Sequence, residues 1–304
     1  ALQSNIEKVI DHINSQKRDS IYTLNILKTS EGTPYYLDGK GNYWRVFNYI
    51  PGSQSYDRVL SEAHAYEAGK AYGTFQRLFK DFSPAKLHET LPDFHNIESR
   101  LALFDRSVLE NPMKRVAEIK DEIDFVWSRA QQMKRIFEKG QTGIIPLRIT
   151  HNDTKINNVL FGKDDKAICV IDLDTVMPGY IHYDYGDAIR TGAASADEGE
   201  TDLSKMCIDL KLFEAYSRGF LEQTIEFIDQ EEMDELYFAP QLLTFIIALR
   251  FLTDYLNGDI YFKVDHEKHN LQRWFAQKQL LLSMEENENE MKQIIEKIET
   301  SLKK

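Results

Sequence analysis

Four polar residues in the middle of the chain have the types and spacing that phosphoryl transfer requires: Asp153, Lys155, Asn158 and Asp172. A carboxylate beside a substrate hydroxyl accepts its proton, and we assign this role to Asp153. Mg²⁺ prefers oxygen ligands, so the pattern predicts that Asn158 and Asp172 hold Mg²⁺ against nucleotide phosphates. The ammonium group of Lys155 would offset charge on the transferring group.

Two short apolar runs must position these residues. Val159 to Phe161 follow the polar loop, Gly162 to Lys166 make a turn, and a second apolar run from Ala167 ends just before Asp172. Apolar runs on both sides of a turn predict a β-hairpin. The alternative is a plain hairpin whose polar turns contain Asp and Asn by chance. The second Asp at the end of the far strand favours a catalytic site.

The wider sequence resembles one family. The resemblance rests on three motifs: His151-Asn152-Asp153 with Asn158, Ile171-Asp172-Leu173-Asp174, and Tyr183-Asp184-Tyr185-Gly186-Asp187. They resemble the aminoglycoside phosphotransferase and choline kinase group, which is built like a protein kinase. The longer sequence that includes these motifs is similar to that of the N-acetylhexosamine 1-kinases within that group. The resemblance implies an α+β, protein kinase-like two-lobe fold, with ATP and Mg²⁺ as cofactors.

The resemblance also implies a division of the chain and further site residues. Residues 1–50 would form a partial small β lobe, and residues 51–304 a mainly helical large lobe with the catalytic hairpin at 149–174. The backbone of Phe47, Asn48 and Tyr49 would be the hinge that bonds the adenine edge; the alternative is an ordinary strand end. Asp184 corresponds to the Asp that supports the catalytic loop.

Substrate contacts are expected after the catalytic loop. In the resembling 1-kinases the sugar lies between that loop and the helices that follow it, which points to Arg250 and, less strongly, Tyr261. Asp174, close to the metal ligand Asp172, would be a sugar contact or an outer magnesium group. Arg250 and Asp254 are four residues apart on one predicted helix face. Because buried charge needs a partner, they form either a structural salt bridge or part of a polar cleft.

Periodicity predicts the elements that carry these residues. Apolar spacing predicts helices over residues 2–14, 58–80, 116–137 (ended by Gly140) and 236–256. Residues 21–28 and 42–50 are strand candidates, with 35–37 as a third. Residues 92–96, which include His95, are predicted to be a surface loop, with a contact between His95 and the substrate as the alternative.

Some features that the resemblance implies are missing from the sequence. A kinase of this class begins with strands that carry a phosphate-covering glycine loop and a Lys that binds the α and β phosphates. This sequence opens at the helix that follows that Lys, and Gly39-Lys40-Gly41 lacks a third glycine and a following helix. We therefore expect part of the small lobe to be absent and the chain, as it stands, to bind ATP weakly and to be nearly inactive.

Composition excludes several other classes of protein. The 304 residues are 42% hydrophobic and 28% charged, as in globular proteins, and the net charge of -12 argues against nonspecific nucleic-acid binding. The longest uncharged stretch, 236–249, is too short to span a bilayer, and no signal peptide opens the chain. Cys169 and Cys207 have no paired spacing and are expected to be buried thiols. We expect a cytoplasmic protein without a membrane partner.

The favoured function is an ATP-dependent kinase of a small hydroxyl compound, with the anomeric hydroxyl of an N-acetylhexosamine as the acceptor. An aminoglycoside or choline substrate is the nearest alternative, because the acidic segment 197–202 would suit a cation. A carbohydrate-binding pseudokinase is a third hypothesis. Turnover of ATP would separate it from the other two.

Overall fold

The computed structural model describes residues 1–16 and 24–304 and is mainly helical with short strands. Its helices are α1 (Leu2–Ser15), α2 (Glu62–Leu78), α3 (Ile97–Glu110), α4 (Lys120–Met133), α5 (Arg135–Gln141), α6 (Ile181–Gly192), α7 (Leu210–Thr224), α8 (Gln230–Met233), α9 (Ala239–Leu256), α10 (His269–Glu286) and α11 (Glu288–Leu302). Its strands are β1 (Tyr36–Leu37), β2 (Tyr43–Trp44), β3 (Arg148–Thr150), β4 (Val159–Phe161), β5 (Ala167–Val170) and β6 (Met177–Gly179).

Within residues 1–16 and 24–304 the strands pair as three antiparallel ribbons. The predicted hairpin is present as β4 and β5, and its turn is closed by a 2.8 Å bond from the Gly162 amide to the Lys166 carbonyl. The strand before the catalytic loop, β3, pairs instead with β6. This pairing brings the segment before Asp153 beside the segment that follows Asp172.

The strands near the start of the chain are shorter than predicted. The candidate at 42–50 reduces to β2, which pairs with β1, and an isolated bridge joins Phe47 to Ile26. The candidate at 21–28 lies partly outside the described residues, and only Ile26 of its described part takes part in that bridge. Exposed side chains on both short strands bury little apolar surface, so packing does not extend them.

Three helix predictions were wrong in their bounds, and the helix predicted over 236–256 begins at Ala239. The helix predicted from residue 58 begins at Glu62, because the Ser61 hydroxyl accepts a 3.2 Å bond from the His64 amide and caps it. The single helix predicted over 116–137 is a 3₁₀ turn followed by α4 and α5, with Ile119 in a non-helical conformation between the first two. Gly140 lies inside α5, where a Cβ atom would come within 2.0 Å of the Tyr180 ring.

Two side chains also differ from the prediction. His95 is buried rather than on a surface loop, and its Nε2 lies 3.2 Å from the Asn152 carbonyl oxygen. Cys207 is exposed and lies outside any helix, whereas Cys169 is buried in β5 as expected. Short polar stretches give no periodic signal, so tertiary contacts alone decide their burial.

The core is organised around α9, which is apolar on all sides and therefore buried on all sides. Leu242, Leu243 and Phe245 are fully buried there. A second cluster contains Ile6 and Val9 of α1, which pack with Phe75 of α2, with Phe79 just after that helix and with Val176. This cluster places α1 against the segment that follows Asp172.

Helices α2 and α7 approach each other so closely that their backbones are in contact. A Cβ atom at Gly69 would lie 2.1 Å from the Tyr216 carbonyl oxygen, and one at Gly219 would lie 2.1 Å from the Tyr66 carbonyl oxygen. At Gly73 the corresponding distance, to the Phe220 carbonyl oxygen, is 2.6 Å. Any larger side chain at these positions would force the two helices apart.

A buried histidine on α6 makes the stability of the fold dependent on pH. His182 is fully buried, its Nε2 donates to the Glu232 carbonyl over 2.9 Å, and its Nδ1 has no partner among the described residues. Burial lowers the pKa of His182 to about 4. An unfolded His titrates near pH 6.5, so the unfolded chain binds more protons between these values, and stability falls as the pH drops through that window.

We expect His182→Gln to flatten this dependence, because the Gln amide can still donate to the Glu232 carbonyl but does not titrate. The free energy of unfolding should lose less on going from pH 6.5 to pH 4.5, by up to about 1.4 kcal/mol per pH unit. Urea unfolding of both proteins across this range measures the difference. Buried His95, with its pKa lowered to about 4, and Asp184, with its pKa raised to about 6, contribute equally to both proteins. Parallel curves would contradict the prediction.

Candidate active site

A buried carboxylate on α6 holds the catalytic loop in place. Asp184 accepts bonds from the His151 amide (2.9 Å), the Asn152 amide (2.7 Å) and the Gln76 side chain (2.7 Å). Burial raises the pKa of Asp184 to about 6, and these three donors oppose that rise. Asn152 has a φ of 65°, a left-handed turn that the two amide bonds to Asp184 stabilise. This geometry fits the supporting role expected for Asp184.

His151 connects the two halves of the site. The ring is fully buried, with Nε2 2.9 Å from the Ile171 carbonyl oxygen and Nδ1 3.3 Å from the Asp153 amide nitrogen. A carbonyl can only accept and an amide can only donate, so the proton of the neutral ring is on Nε2. Both ring nitrogens are occupied, and His151 therefore positions its neighbours rather than transferring protons.

The proposed proton acceptor, Asp153, is held from both sides. One of its oxygens lies 2.9 Å from Lys155 Nζ, and the other accepts a 3.0 Å bond from Asn158 Nδ2. Its side chain is 26% exposed, so a substrate hydroxyl can reach it. Burial disfavours the charged form of Lys155, but Asp153 outweighs this and raises the pKa of Lys155. Lys155 therefore stays positively charged beside the carboxylate.

Asn158 and Asp172 offer oxygen atoms that fit a magnesium ion. The Asn158 amide nitrogen donates to the carbonyl (2.8 Å) and the carboxylate of Asp153, which leaves Asn158 Oδ1 as an open ligand. The Ile171 amide donates to the Asn158 carbonyl over 2.9 Å. This bond keeps the backbone of the exposed Asp172, the residue after Ile171, close to that of Asn158. Among residues 1–16 and 24–304, no three His, Cys, Asp or Glu residues are grouped to hold a metal. Mg²⁺ would therefore take its other ligands from phosphates and water.

The expected hinge lies at the end of the short strand region. The Asn48 amide donates to the Asn25 carbonyl over 3.0 Å, Phe47 forms the bridge to Ile26, and Tyr49 is 77% exposed. The Asn48 amide is thus already bonded within the protein. Adenine recognition here would have to use the other backbone groups of this segment.

The structure pairs Asp174 with a residue that sequence reasoning missed. Arg45 Nη2 lies 2.8 Å and 2.6 Å from the two Asp174 oxygens. The pair ties the segment after β2 to the segment after Asp172. Nothing in the spacing of these two residues along the chain signals their contact.

Arg250 is not paired with Asp254, so the salt-bridge alternative was wrong. Asp254 instead accepts bonds from the backbone amides of residues 260–262 and from Asn270. These bonds fold the loop that carries Tyr261, and the Tyr261 hydroxyl accepts a 3.0 Å bond from Arg250. Arg250 and Tyr261 line a cavity of about 270 Å³, but its wall is mostly apolar and is not the polar cleft of the second alternative.

A second charged network, also missed by sequence reasoning, lies behind Lys155. Asp187 accepts a 3.3 Å bond from the Thr154 amide in the catalytic loop, and Arg190 Nη2 lies 2.9 Å from it. Burial would raise the pKa of Asp187, but Arg190 outweighs it and the pKa is lowered. Arg190 also pairs with Glu198 at 2.7 Å and, with Lys155, lines a cavity of about 460 Å³. The three-residue spacing of Asp187 and Arg190 on α6 was the available signal.

None of the helices in the described part of the chain is long and apolar enough to cross a membrane.

Comparison with known proteins gives a family and a fold. The model of the phosphotransferase enzyme family matches residues 21–218. An aminoglycoside phosphotransferase from Alicyclobacillus acidocaldarius superposes with a TM-score of 0.61 at 14% identity, covering 97% of this chain and 84% of the other. A spectinomycin phosphotransferase solved with ADP and spectinomycin superposes with a TM-score of 0.56 at 12% identity, covering 94% and 82%. These likenesses confirm the expected kinase-like α+β fold.

Proposed function

This chain belongs to the phosphotransferase enzyme family, and we propose that it transfers the terminal phosphoryl group of ATP to a hydroxyl group of a small molecule. One observation carries the proposal. The partly exposed Asp153 carboxylate lies 2.9 Å from the Lys155 ammonium group and accepts a 3.0 Å bond from the Asn158 side chain, and the Asn158 carbonyl is bonded to the amide of Ile171, the residue before the exposed Asp172. The residues proposed as proton acceptor, cation and metal ligands are thus in one loop and at the strand end beside it, which supports the proposal.

In the proposed reaction, the acceptor oxygen attacks the γ-phosphorus and the bond from that phosphorus to the β–γ bridging oxygen breaks, releasing ADP. Asp153 accepts the hydroxyl proton as the new bond forms. Lys155 offsets negative charge on the phosphoryl group during its transfer. Mg²⁺, held by Asn158 and Asp172, would neutralise charge on the phosphates. Phe47, Asn48 and Tyr49 are the proposed contacts for adenine.

For the acceptor we propose an N-acetylhexosamine, phosphorylated at its anomeric hydroxyl. Arg250 supports this, because its planar group presents several fixed donors to the cavity of about 270 Å³ that it lines with Tyr261. Aromatic rings also suit a sugar face, and Phe94, Tyr261 and Phe262 surround Arg250 at 5.2 to 5.4 Å from their centroids. Asp174 forms an ion pair with Arg45, so any effect of Asp174 on the sugar or the metal would depend on that pair.

An aminoglycoside or choline acceptor is the second candidate. The acidic residues Asp197 and Glu198 line the cavity beside Lys155, which would favour a cation. Both are already paired, however, with Arg58 and Arg190. These pairs reduce the negative charge left for a substrate and favour the uncharged sugar.

Turnover assays at saturating Mg-ATP, which offsets the weak ATP binding expected from the sequence, test the proposal with a panel of N-acetylhexosamines, aminoglycosides and choline. We expect ADP release and a sugar 1-phosphate with an N-acetylhexosamine only. Turnover with an aminoglycoside or choline would replace the proposed acceptor but retain the reaction. If calorimetry shows that the protein binds the sugar but no acceptor in the panel leads to ADP formation, the result would favour the pseudokinase hypothesis and overturn the proposed reaction.

The role of Arg250 can be tested with a conservative change. We expect Arg250→Lys to raise the Michaelis constant for the sugar or lower kcat/KM by about 5- to 150-fold, which corresponds to about 1 to 3 kcal/mol of lost hydrogen bonding. A single ammonium group cannot reproduce the planar fork. The melting temperature should change little, because Asp254 has other partners.

Kinetics and melting temperature are measured on the same variant. Arg218→Lys, on the exposed side of α7, is the matched control and should leave both quantities unchanged. A large fall in melting temperature with unchanged sugar kinetics would remove Arg250 from the substrate site.

A further inference from the structure

The cavity of about 270 Å³ contains two arginines that form no ion pair within the described part of the chain. Arg100 of α3 and Arg250 of α9 both line it, and both are half-buried. Arg129, Arg135 and Arg148 are also half-buried, and each of them forms an ion pair with a Glu. A charge that is partly withdrawn from water is costly without a partner, so the two arginines favour a ligand that brings a negative charge.

The hydrogen bonds of these two side chains leave donors for a ligand. Arg100 donates through Nε (3.3 Å) and Nη2 (2.8 Å) to the Phe94 carbonyl. Arg250 donates through Nη2 to the Tyr261 hydroxyl over 3.0 Å. Arg100 Nη1, Arg250 Nε and Arg250 Nη1 have no acceptor among residues 1–16 and 24–304, and none of these nitrogens is sealed from solvent. A ligand that enters from solvent can therefore reach them.

Among the described residues that line the cavity, Asp254 is the one carboxylate, and its oxygens are already occupied. They accept four hydrogen bonds, from the backbone amides of residues 260–262 and from Asn270 Nδ2. Burial, and then the charge of Arg250, lowers the pKa of Arg100, and burial also lowers the pKa of Arg250. Two cations and one carboxylate give the wall a net charge of +1. A monoanion would neutralise this charge, whereas a dianion would exceed it.

The rest of the wall is mostly apolar and open to solvent. Leu103, Ile260 and Tyr261 line the cavity and are 42%, 80% and 68% exposed. Covering exposed apolar side chains is favourable, so the wall suits a ligand with an apolar body. A volume of about 270 Å³ admits a compound built on one ring.

We propose that this cavity binds a small organic acid, whose carboxylate accepts hydrogen bonds from Arg100 and Arg250 while its apolar body packs against Leu103 and Ile260. The planar guanidinium group matches a carboxylate in shape as well as in charge. Because Arg250 also belongs to the proposed acceptor site, the acid would compete with the acceptor. Its binding is measured without turnover and does not depend on the proposed reaction.

Three probes separate the charge from the apolar body. Benzoate carries both, benzamide has nearly the same shape without the charge, and acetate has the carboxylate without the ring. In NMR titrations at constant ionic strength we expect benzoate to shift the amide signals of Asn257, Ile260 and Tyr261 and to bind about 10- to 100-fold more tightly than either other probe. Benzamide or acetate binding as tightly as benzoate would overturn the proposal. Tighter binding of phenyl phosphate than of benzoate would overturn the choice of a monoanion.

Substitutions at two positions of α3 test the location of the site. Leu103 is three residues after Arg100, so Leu103→Glu would place a carboxylate beside the Arg100 guanidinium and should weaken benzoate by about 10-fold. Leu103→Gln is the matched control and should retain the preference for benzoate over benzamide, whereas Arg100→Met should lose most of it. An unchanged preference in Leu103→Glu would overturn the proposal even if Arg100→Met does not fold. Equal losses in Leu103→Glu and Leu103→Gln would do the same, because they would show an effect of shape and not of charge.

Inhibition provides a second measurement. In the turnover assay, benzoate should raise the Michaelis constant of the acceptor and leave kcat unchanged. Benzoate binding without turnover of any acceptor would retain this site and overturn only the proposed reaction. Turnover without benzoate binding would overturn only this site.

Discussion

Replacing Asp153 with Asn is expected to lower turnover by about 10²- to 10⁴-fold while sugar affinity stays nearly the same. The amide has the size of the carboxylate but cannot accept the hydroxyl proton. The substrate contacts proposed at Arg250 and Tyr261 remain in place. Steady-state kinetics with Mg-ATP give the turnover, and calorimetry gives the dissociation constant of the sugar.

The exposed turn residue Asp164 supplies the control for this change. Asp164 lies in the turn between β4 and β5, and among the described residues its carboxylate forms an ion pair only with the exposed Lys166. Asp164→Asn therefore removes a carboxylate from the hairpin that follows Asp153. It should leave turnover unchanged. If Asp153→Asn retained wild-type turnover, Asp153 would not be the proton acceptor and the assignment of this loop would be wrong.

Replacing Arg190 with Met is expected to destabilise the protein by about 3 to 5 kcal/mol. Arg190 is 3% exposed and is the cation beside the buried carboxylate of Asp187. Without it, that carboxylate would remain buried with the Thr154 amide as its hydrogen-bond donor. The free energy of unfolding in urea at pH 7 measures the loss.

A second substitution distinguishes a lost charge pair from lost packing. Asp187→Asn added to Arg190→Met removes the unpaired charge, and its amide oxygen can still accept from the Thr154 amide. We expect the double variant to recover most of the lost stability, since neutral groups bury at lower cost than an isolated ion. A double variant as unstable as the single one would mean that Arg190 acts by packing.

The sequence predicted the hairpin of β4 and β5 correctly because its signals are local. The hairpin of β4 and β5 needs only two apolar runs and a turn, and its residues are neighbours along the chain. Asp153, Lys155 and Asn158 then fall together by the geometry of one loop. The buried helix α9 was equally clear, since its apolar residues cover every face.

Contacts between distant segments left no such signal. The pairing of β3 with β6 and the contact of Arg45 with Asp174 depend on how separate elements pack. The same holds for Asp254. Its helical spacing suggested Arg250 as its partner, but its carboxylate accepts hydrogen bonds from backbone amides of the loop that follows the helix. The sequence could not predict that His95 is buried, because its burial depends on contact with the loop that contains Asn152 and not on the residues next to His95 in sequence.

The backbone contact between α2 and α7 gives residues far from the reacting atoms a direct influence on them. Tyr72 of α2 donates to the Lys155 carbonyl over 2.8 Å, and Gln76 donates to the Ile149 carbonyl over 3.1 Å and to Asp184. The glycines leave no compressible side-chain layer between the helices, so a methyl group added at Gly219 would be transmitted as a displacement of α2. Random mutagenesis for loss of activity should therefore recover substitutions at this glycine with the phenotype of an active-site lesion.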